Sequence, residues 1–260
     1  AAQLKLREQA VENTLALLEE GCTIPFISRY RKEKTGNMDE VNIEAIAQAN
    51  EKLKEMAKRK ETILKTIEEQ GKLTDALKER IENCWDATEL EDIYLPFKPK
   101  RRTRAQIARE AGLEPLAQVL LFQRERNPLQ AAKKFVGDKV KDTDAALQGA
   151  KDIIAEMVSE SEESRNQIRG EFRREAIITS KVVAKKKDEE EAQRFSDYFD
   201  FSEPLKKCSS HRLLAMRRGE AAGFLRISIS ADDEQCQDKL KRHYVHGYGE
   251  CQTLVGEAVD

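Results

Sequence analysis

From Asn37 or Asp39 to about Gln70, apolar residues return at alternating intervals of three and four: Ile46, Ala49, Leu53, Met56, Ile63 and Ile67, with Lys60 interrupting the series. That spacing draws one apolar stripe along a long helix, and Gly71 supplies its stop. A heptad-like stripe is more commonly covered by neighbouring helices than by a free coiled coil. The chain must therefore supply helices to cover it.

The sequence offers several. Leu4, Leu6, Val11, Leu15 and Leu18 recur at helical spacing ahead of a stop at Gly21. In "GCTIPFISRYRKEKTG", Thr23 can cap a short helix with Pro25 in its first turn and Gly36 at its end. Ile24, Ile27 and Tyr30 are then expected to point inward, with Lys32 and Lys34 complementing the dipole near the C-terminal end. Thr88 with Glu91, and Thr103 with Gln106, fit the capping box. Pro128, Thr143 and Ser161 mark later helix starts. Ala146, Ala150, Ile153, Ile154 and Met157 make one apolar face, and Ile168, Phe172 and Ala176 another. Paired helices dominate without a repeat regular enough for a solenoid. Charged residues at 36% and aromatics at 6% of 260 residues favour such helices over a β-sandwich or barrel.

The texture changes near Lys185. "KKKDEEE" (residues 185–191) is a solvated charge block, and Ser209 or Ser210 can cap a helix around Leu213–Arg218. Gly219 and Gly223 bracket a turn, after which Phe224, Leu225, Ile227 and Ile229 read as a β-strand. One strand cannot satisfy its own backbone groups, so a partner is either hidden in the helical part or lies beyond Asp260. The expected fold is mainly α: a multi-helix domain over 1–185 with helix-turn-helix-like pairs, then a helix–strand–helix region over 186–260 with its β element near 224–230.

Several function classes lose support at once. No Gly-Lys-Ser/Thr follows Gly21, and no GxSxG, HExxH or GxGxxG occurs, so no phosphate loop, catalytic residue or cofactor is expected. Cys208-x2-His211 and His243-x2-His246 have ligand spacing, but no CxxC pair joins them, and no metal is expected. Glu189, Glu190 and Glu191 point in different directions on a helix and cannot converge on one ion. The five scattered cysteines fit free thiols in a reducing compartment. No apolar run reaches membrane-spanning length and no signal-peptide pattern opens the chain, so a cytoplasmic location and no membrane partner are expected.

Nucleic acid is the partner that the charge pattern favours. The net charge of −2 conceals blocks of both signs, so binding must come from patches. In "YLPFKPKRRTRAQIAREAGLEPLAQVLL", Ala108 and Gly112 have helix-turn-helix spacing, and Lys98, Lys100, Arg101, Arg102, Arg104 and Arg109 carry positive charge. The helix that should read base edges instead offers Pro115, Leu116, Ala117, Val119, Leu120 and Leu121, the composition of a helix packed on protein. Phosphate contact without base reading is the better expectation, through Lys98, Lys100, Arg101, Arg102 and Arg104, with Arg29 and Arg31 behind them.

Three stretches carry a resemblance. "EEGCTIPFISRYRKEKTGNMDE", "TELEDIYLPFKPKRRTRAQIAREAGLEPLA" and "SEPLKKCSSHRLLAMRRGEAAGFLRIS" resemble the Tex family of bacterial transcription accessory proteins. Cys22 and Cys208 depart from the family pattern, where a small or aliphatic residue is expected. The resemblance implies an architecture similar to a eukaryotic transcription elongation factor: a helical N-terminal region, an RNase H-like domain without established catalysis, helix-hairpin-helix modules and a C-terminal OB-fold RNA-binding domain. The chain is expected to hold the helical region and the lead-in to the next domain, truncated before the RNase H-like domain. It is expected to act as a non-catalytic scaffold in transcription or RNA metabolism, with weak, non-specific affinity for RNA or DNA and contacts to the transcription machinery. The readings set against it are a helix-turn-helix DNA-binding regulator and a pure protein–protein interaction module.

Overall fold

The computed structural model describes residues 6–260. Two compact units part between Lys98 and Pro99. The fold is mainly α, and among the described residues no helix is long and apolar enough to cross a membrane.

The first unit contains α1 (Glu8–Glu19), α2 (Ile24–Tyr30), α3 (Lys32–Thr35), α4 (Glu40–Glu69), α5 (Asp75–Asn83) and α6 (Ala87–Tyr94). The stripe of α4 organises it. Asp39 caps this helix by accepting from the Asn42 N–H at 2.8 Å. At its N-terminal end Ile43 and Ile46 gather Leu17, Ile27 and Met38. At its C-terminal end Ile63 and Ile67 gather Ile81, Leu90, Ile93 and Tyr94. Between these clusters Leu53 is 49% exposed, so the stripe is covered at its ends and open in its middle. Lys60 fits into the stripe because its ammonium leaves it: Nζ donates to the Glu82 carbonyl at 2.7 Å and lies 3.5 Å from the Trp85 ring centroid.

Three local expectations need correction here. The segment from Gly21 to Gly36 forms two helices, α2 and α3, because Arg31 at φ −130°, ψ 27° breaks the run between them. Only Ile27 is then fully buried, while Tyr30 turns outward and is 63% exposed. Asp86, not Thr88, caps α6, accepting from the N–H groups of Thr88 and Glu89 at 2.8 and 2.9 Å. Leu4 lies outside the described residues, and Leu6 precedes α1, whose buried positions are Ala10, Thr14 and Leu17.

The second unit contains α7 (Arg104–Glu110), α8 (Glu114–Phe122), α9 (Pro128–Lys133), α10 (Thr143–Glu160), α11 (Glu162–Glu175), β1 (Ile177–Val182), β2 (Asp200–Pro204), α12 (Ser210–Ala221), β3 (Leu225–Ser230), α13 (Asp233–Tyr244) and α14 (Glu250–Val259). Helix α10 is its axis. Ala146, Ala150, Ile153 and Ile154 pack with Leu116 and Leu120 of α8 and Val255 of α14. Met157, expected on that face, is exposed. Thr103 caps α7 and Ser161 caps α11, and α10 starts at Thr143 as expected, with Asp142 as its cap.

The expected strand has its partners inside the chain. β1 lies between β2 and β3, antiparallel to both, with Ile178 opposite Glu203 on one side and Ile229 on the other. The charge block at 185–191 lies in the connection between β1 and β2.

Candidate nucleic-acid interface

The basic segment reaches the head of α7 and meets two carboxylates there. Glu156 and Glu160 stand one turn apart on α10, on one face of that helix. Lys100 Nζ pairs with Glu160 and lies 3.8 Å from Glu156. Glu156 also accepts from the Thr103 hydroxyl at 2.9 Å and from Arg109 Nη1 at 2.5 Å. Burial alone would raise the Glu156 carboxyl; the hydrogen bonds from Arg109 and Thr103 and the charges of Lys100 and Arg109 outweigh it and hold the group below its ordinary value. Arg102 is engaged as well, at 2.7 Å from Glu110, whose carboxyl is lowered by that hydrogen bond and by one from Gln106.

The seven expected phosphate contacts therefore separate into different situations. Lys100 and Arg102 join α7 and its approach to carboxylates of their own unit. Arg101 and Arg104 are exposed and carry no ion pair among the described residues. Lys98 is exposed at the end of the first unit, where its charge helps lower the Glu91 carboxyl behind the larger effect of the Arg59 hydrogen bond. Arg29 is exposed on α2; Arg31 donates to the Tyr30 carbonyl at 3.2 Å, with its guanidinium carbon 5.2 Å from the Phe26 ring centroid.

Gly112 takes φ +82° in the turn between α7 and α8. Helix α8 buries Leu116, Ala117 and Leu120, and its exposed face presents Glu114, Pro115, Gln118 and Phe122. Gln118 and Glu114 are the side chains of that face able to address a base edge, and no arginine, lysine or asparagine stands with them.

Neither ligand-spaced pair forms a centre. His211 Nε2 lies 3.2 Å from the Ser209 hydroxyl, and His243 Nε2 lies 3.5 Å from Glu163. Among the described residues no group of three or more histidine, cysteine, aspartate or glutamate side chains is placed to hold a metal ion.

Sequence reasoning missed the carboxylates that engage Lys100 and Arg109, although Glu156 and Glu160 stand four apart on a helix whose other face is apolar. It also missed the aromatic pair on α2, where Phe26 and Tyr30 are both exposed with ring centroids 5.3 Å apart.

Comparison with known proteins places these elements. Residues 1–68 match the Tex-like protein N-terminal domain, and residues 123–254 match the Tex central region-like family. The transcriptional accessory protein Tex of Neisseria gonorrhoeae is 45% identical over 84% of this chain and 29% of its own length. Protein tex of Bordetella pertussis is 41% identical over 90% of this chain and 30% of its own. The human S1 RNA-binding domain-containing protein 1 is 30% identical over 85% of this chain and 23% of its own. The chain thus spans under a third of the length of these relatives, and with both its N-terminal and central stretches matched, it belongs to the Tex family.

Proposed function

We propose that this chain is a non-catalytic helical region of a transcription accessory protein, acting in transcription or RNA metabolism as an interaction surface with weak, sequence-blind affinity for nucleic acid. The observation that carries the reading is the state of two cations. Arg101 and Arg104 extend into solvent beside Lys100 and Arg102, which are already held by carboxylates. Unpaired surface arginines contribute phosphate affinity and no sequence information. The names of the relatives agree in kind, since one is a transcriptional accessory protein and another an S1 RNA-binding domain-containing protein. The apolar packing of α8 weighs against a base-reading regulator.

The test is fluorescence anisotropy of the chain with random single-stranded RNA and duplex DNA across a salt series, with an Arg101→Glu/Arg104→Glu variant alongside. The reading expects binding without sequence preference. It also expects the variant to lower the slope of log affinity against log salt, each lost phosphate contact on a single strand removing about 0.7. Absence of binding at low salt would overturn it and leave a protein–protein module.

A further inference from the structure

Helix α2 turns one side inward and presents a different chemistry outward. Ile27 is fully buried and Ser28 bonds to Glu40 at 3.2 Å, which fixes the helix on α4. The outward side carries Phe26, 37% exposed, and Tyr30, 63% exposed, one helical turn apart with ring planes tilted by 41°. Arg29, Arg31, Lys32 and Lys34 lie beside this pair in the chain, the Arg31 guanidinium carbon 5.2 Å from the Phe26 ring centroid, and Glu33 is the one acidic residue between Gly21 and Gly36. None of these four cations forms an ion pair among the described residues. This differs from the head of α7, where Lys100, Arg102 and Arg109 all meet carboxylates.

Two exposed rings among cations without ion pairs fit one kind of occupant closely. Unstacked bases lie flat on aromatic rings irrespective of sequence, and the phosphates between them seek the surrounding arginines and lysines. A duplex keeps its bases stacked on one another and cannot use the rings. An apolar protein surface would use the rings but would bury Arg29, Lys32 and Lys34 without partners. We infer that the outward side of α2, centred on Tyr30 and Phe26 and bordered by Arg29, Arg31 and Lys32, is a stacking platform for single-stranded nucleic acid. The inference rests on the nucleic-acid reading above and adds to it the site, the strandedness and the mode of contact.

The rings contribute little to the core, so their removal can be read as binding. The experiment measures affinity of the 260-residue chain for short labelled oligo(dA), for an abasic strand of the same length and charge, and for duplex DNA. The same strands are titrated into Tyr30→Ala, Phe26→Ala, Tyr30→Trp and Arg101→Glu/Arg104→Glu, with thermal melting to confirm that each variant is folded. Stacking predicts that oligo(dA) binds more tightly than the abasic strand. Tyr30→Ala should remove that difference with a loss of about tenfold, and Tyr30→Trp should restore it. If the chain binds oligo(dA), and Arg101→Glu/Arg104→Glu weakens it while Tyr30→Ala and Phe26→Ala do not, the platform is wrong and the phosphate reading stands; α2 then faces a protein. If no strand binds at low salt, both fall together.

Discussion

The Thr103 hydroxyl serves two helices at once, accepting from the Gln106 N–H at 3.0 Å as the cap of α7 while donating to Glu156 of α10 at 2.9 Å. The basic approach to α7 is thereby fixed on the axis of the second unit, through a threonine and a glutamate 53 positions apart. Loss of an N-cap hydroxyl costs about 1 kcal/mol, and the second bond, to a carboxylate, adds about the same again. Thr103→Ala should therefore lower stability by about 2 kcal/mol in urea melts, and Thr103→Ser should recover most of it. Equal midpoints for wild type and Thr103→Ala would show that the contact contributes nothing.

The Glu156 carboxylate gives the same seam a pH dependence. Its value is lowered in the folded protein, so the unfolded chain takes up the proton first as the solution is acidified. The stability it supplies is fully present above the ordinary glutamate value of about 4.3 and is lost as pH falls through the lower folded value. At neutral pH Glu156→Gln should be less stable than wild type, leaving Arg109 and Lys100 with a neutral partner. The two should converge when unfolding is followed down to strongly acidic solution. A gap that stays constant with pH would place the effect in packing.

The long helix and most of its neighbours were legible because their signals are local. The α4 stripe, the Thr103 and Ser161 caps and the buried face of α10 each depend on residues within a few turns. What could not be read depended on backbone choices or on distant partners. Tyr30 ends α2 facing outward, and a non-glycine residue, Arg31, breaks the helix after it where no proline or glycine signals a stop. Asp86 and Thr88 are both good caps two positions apart, and nothing local chooses between them. β1 carries Thr179, Ser180 and Lys181 in its middle and Pro204 ends β2, so neither shows the apolar alternation that marks β3. Of the candidate contacts, the residues were visible but their availability was not, since Lys100 meets a glutamate 60 positions away.

Lys60 illustrates how a seam tolerates a charge. Its ammonium satisfies a carbonyl near the end of α5 and rests on the Trp85 ring, so an apolar replacement leaves the Glu82 carbonyl without that donor and the ring without its cation. Lys60→Met should destabilise the chain by about 1–2 kcal/mol, although it completes the apolar series. A double-mutant cycle with Trp85→Ala should return a coupling of about 0.5–1 kcal/mol for the cation on the ring. A coupling of zero would assign the whole effect to the carbonyl.

Two glycines in long helices should respond with opposite signs to the same substitution. Replacing a mid-helix glycine by alanine favours the helix by about 1 kcal/mol, and at Gly170 of α11 the new Cβ meets nothing within 4 Å. Gly170→Ala should therefore raise the melting midpoint. At Gly149 of α10 the Cβ would stand 2.5 Å from Leu113 Cδ1 and 3.2 Å from Ala108 Cβ. Leu113 is buried and Ala108 has no rotamer to change, so α7 must move off α10. Overpacking of this kind costs about 1–3 kcal/mol, enough to cancel the propensity gain and lower the midpoint. Because α7 carries Thr103 and the basic approach, Gly149→Ala should also weaken the Thr103–Glu156 bond. Combining it with Thr103→Ala should then cost less than the two single losses added together. Strict additivity would mean that the helix yields elsewhere and the seam stays closed.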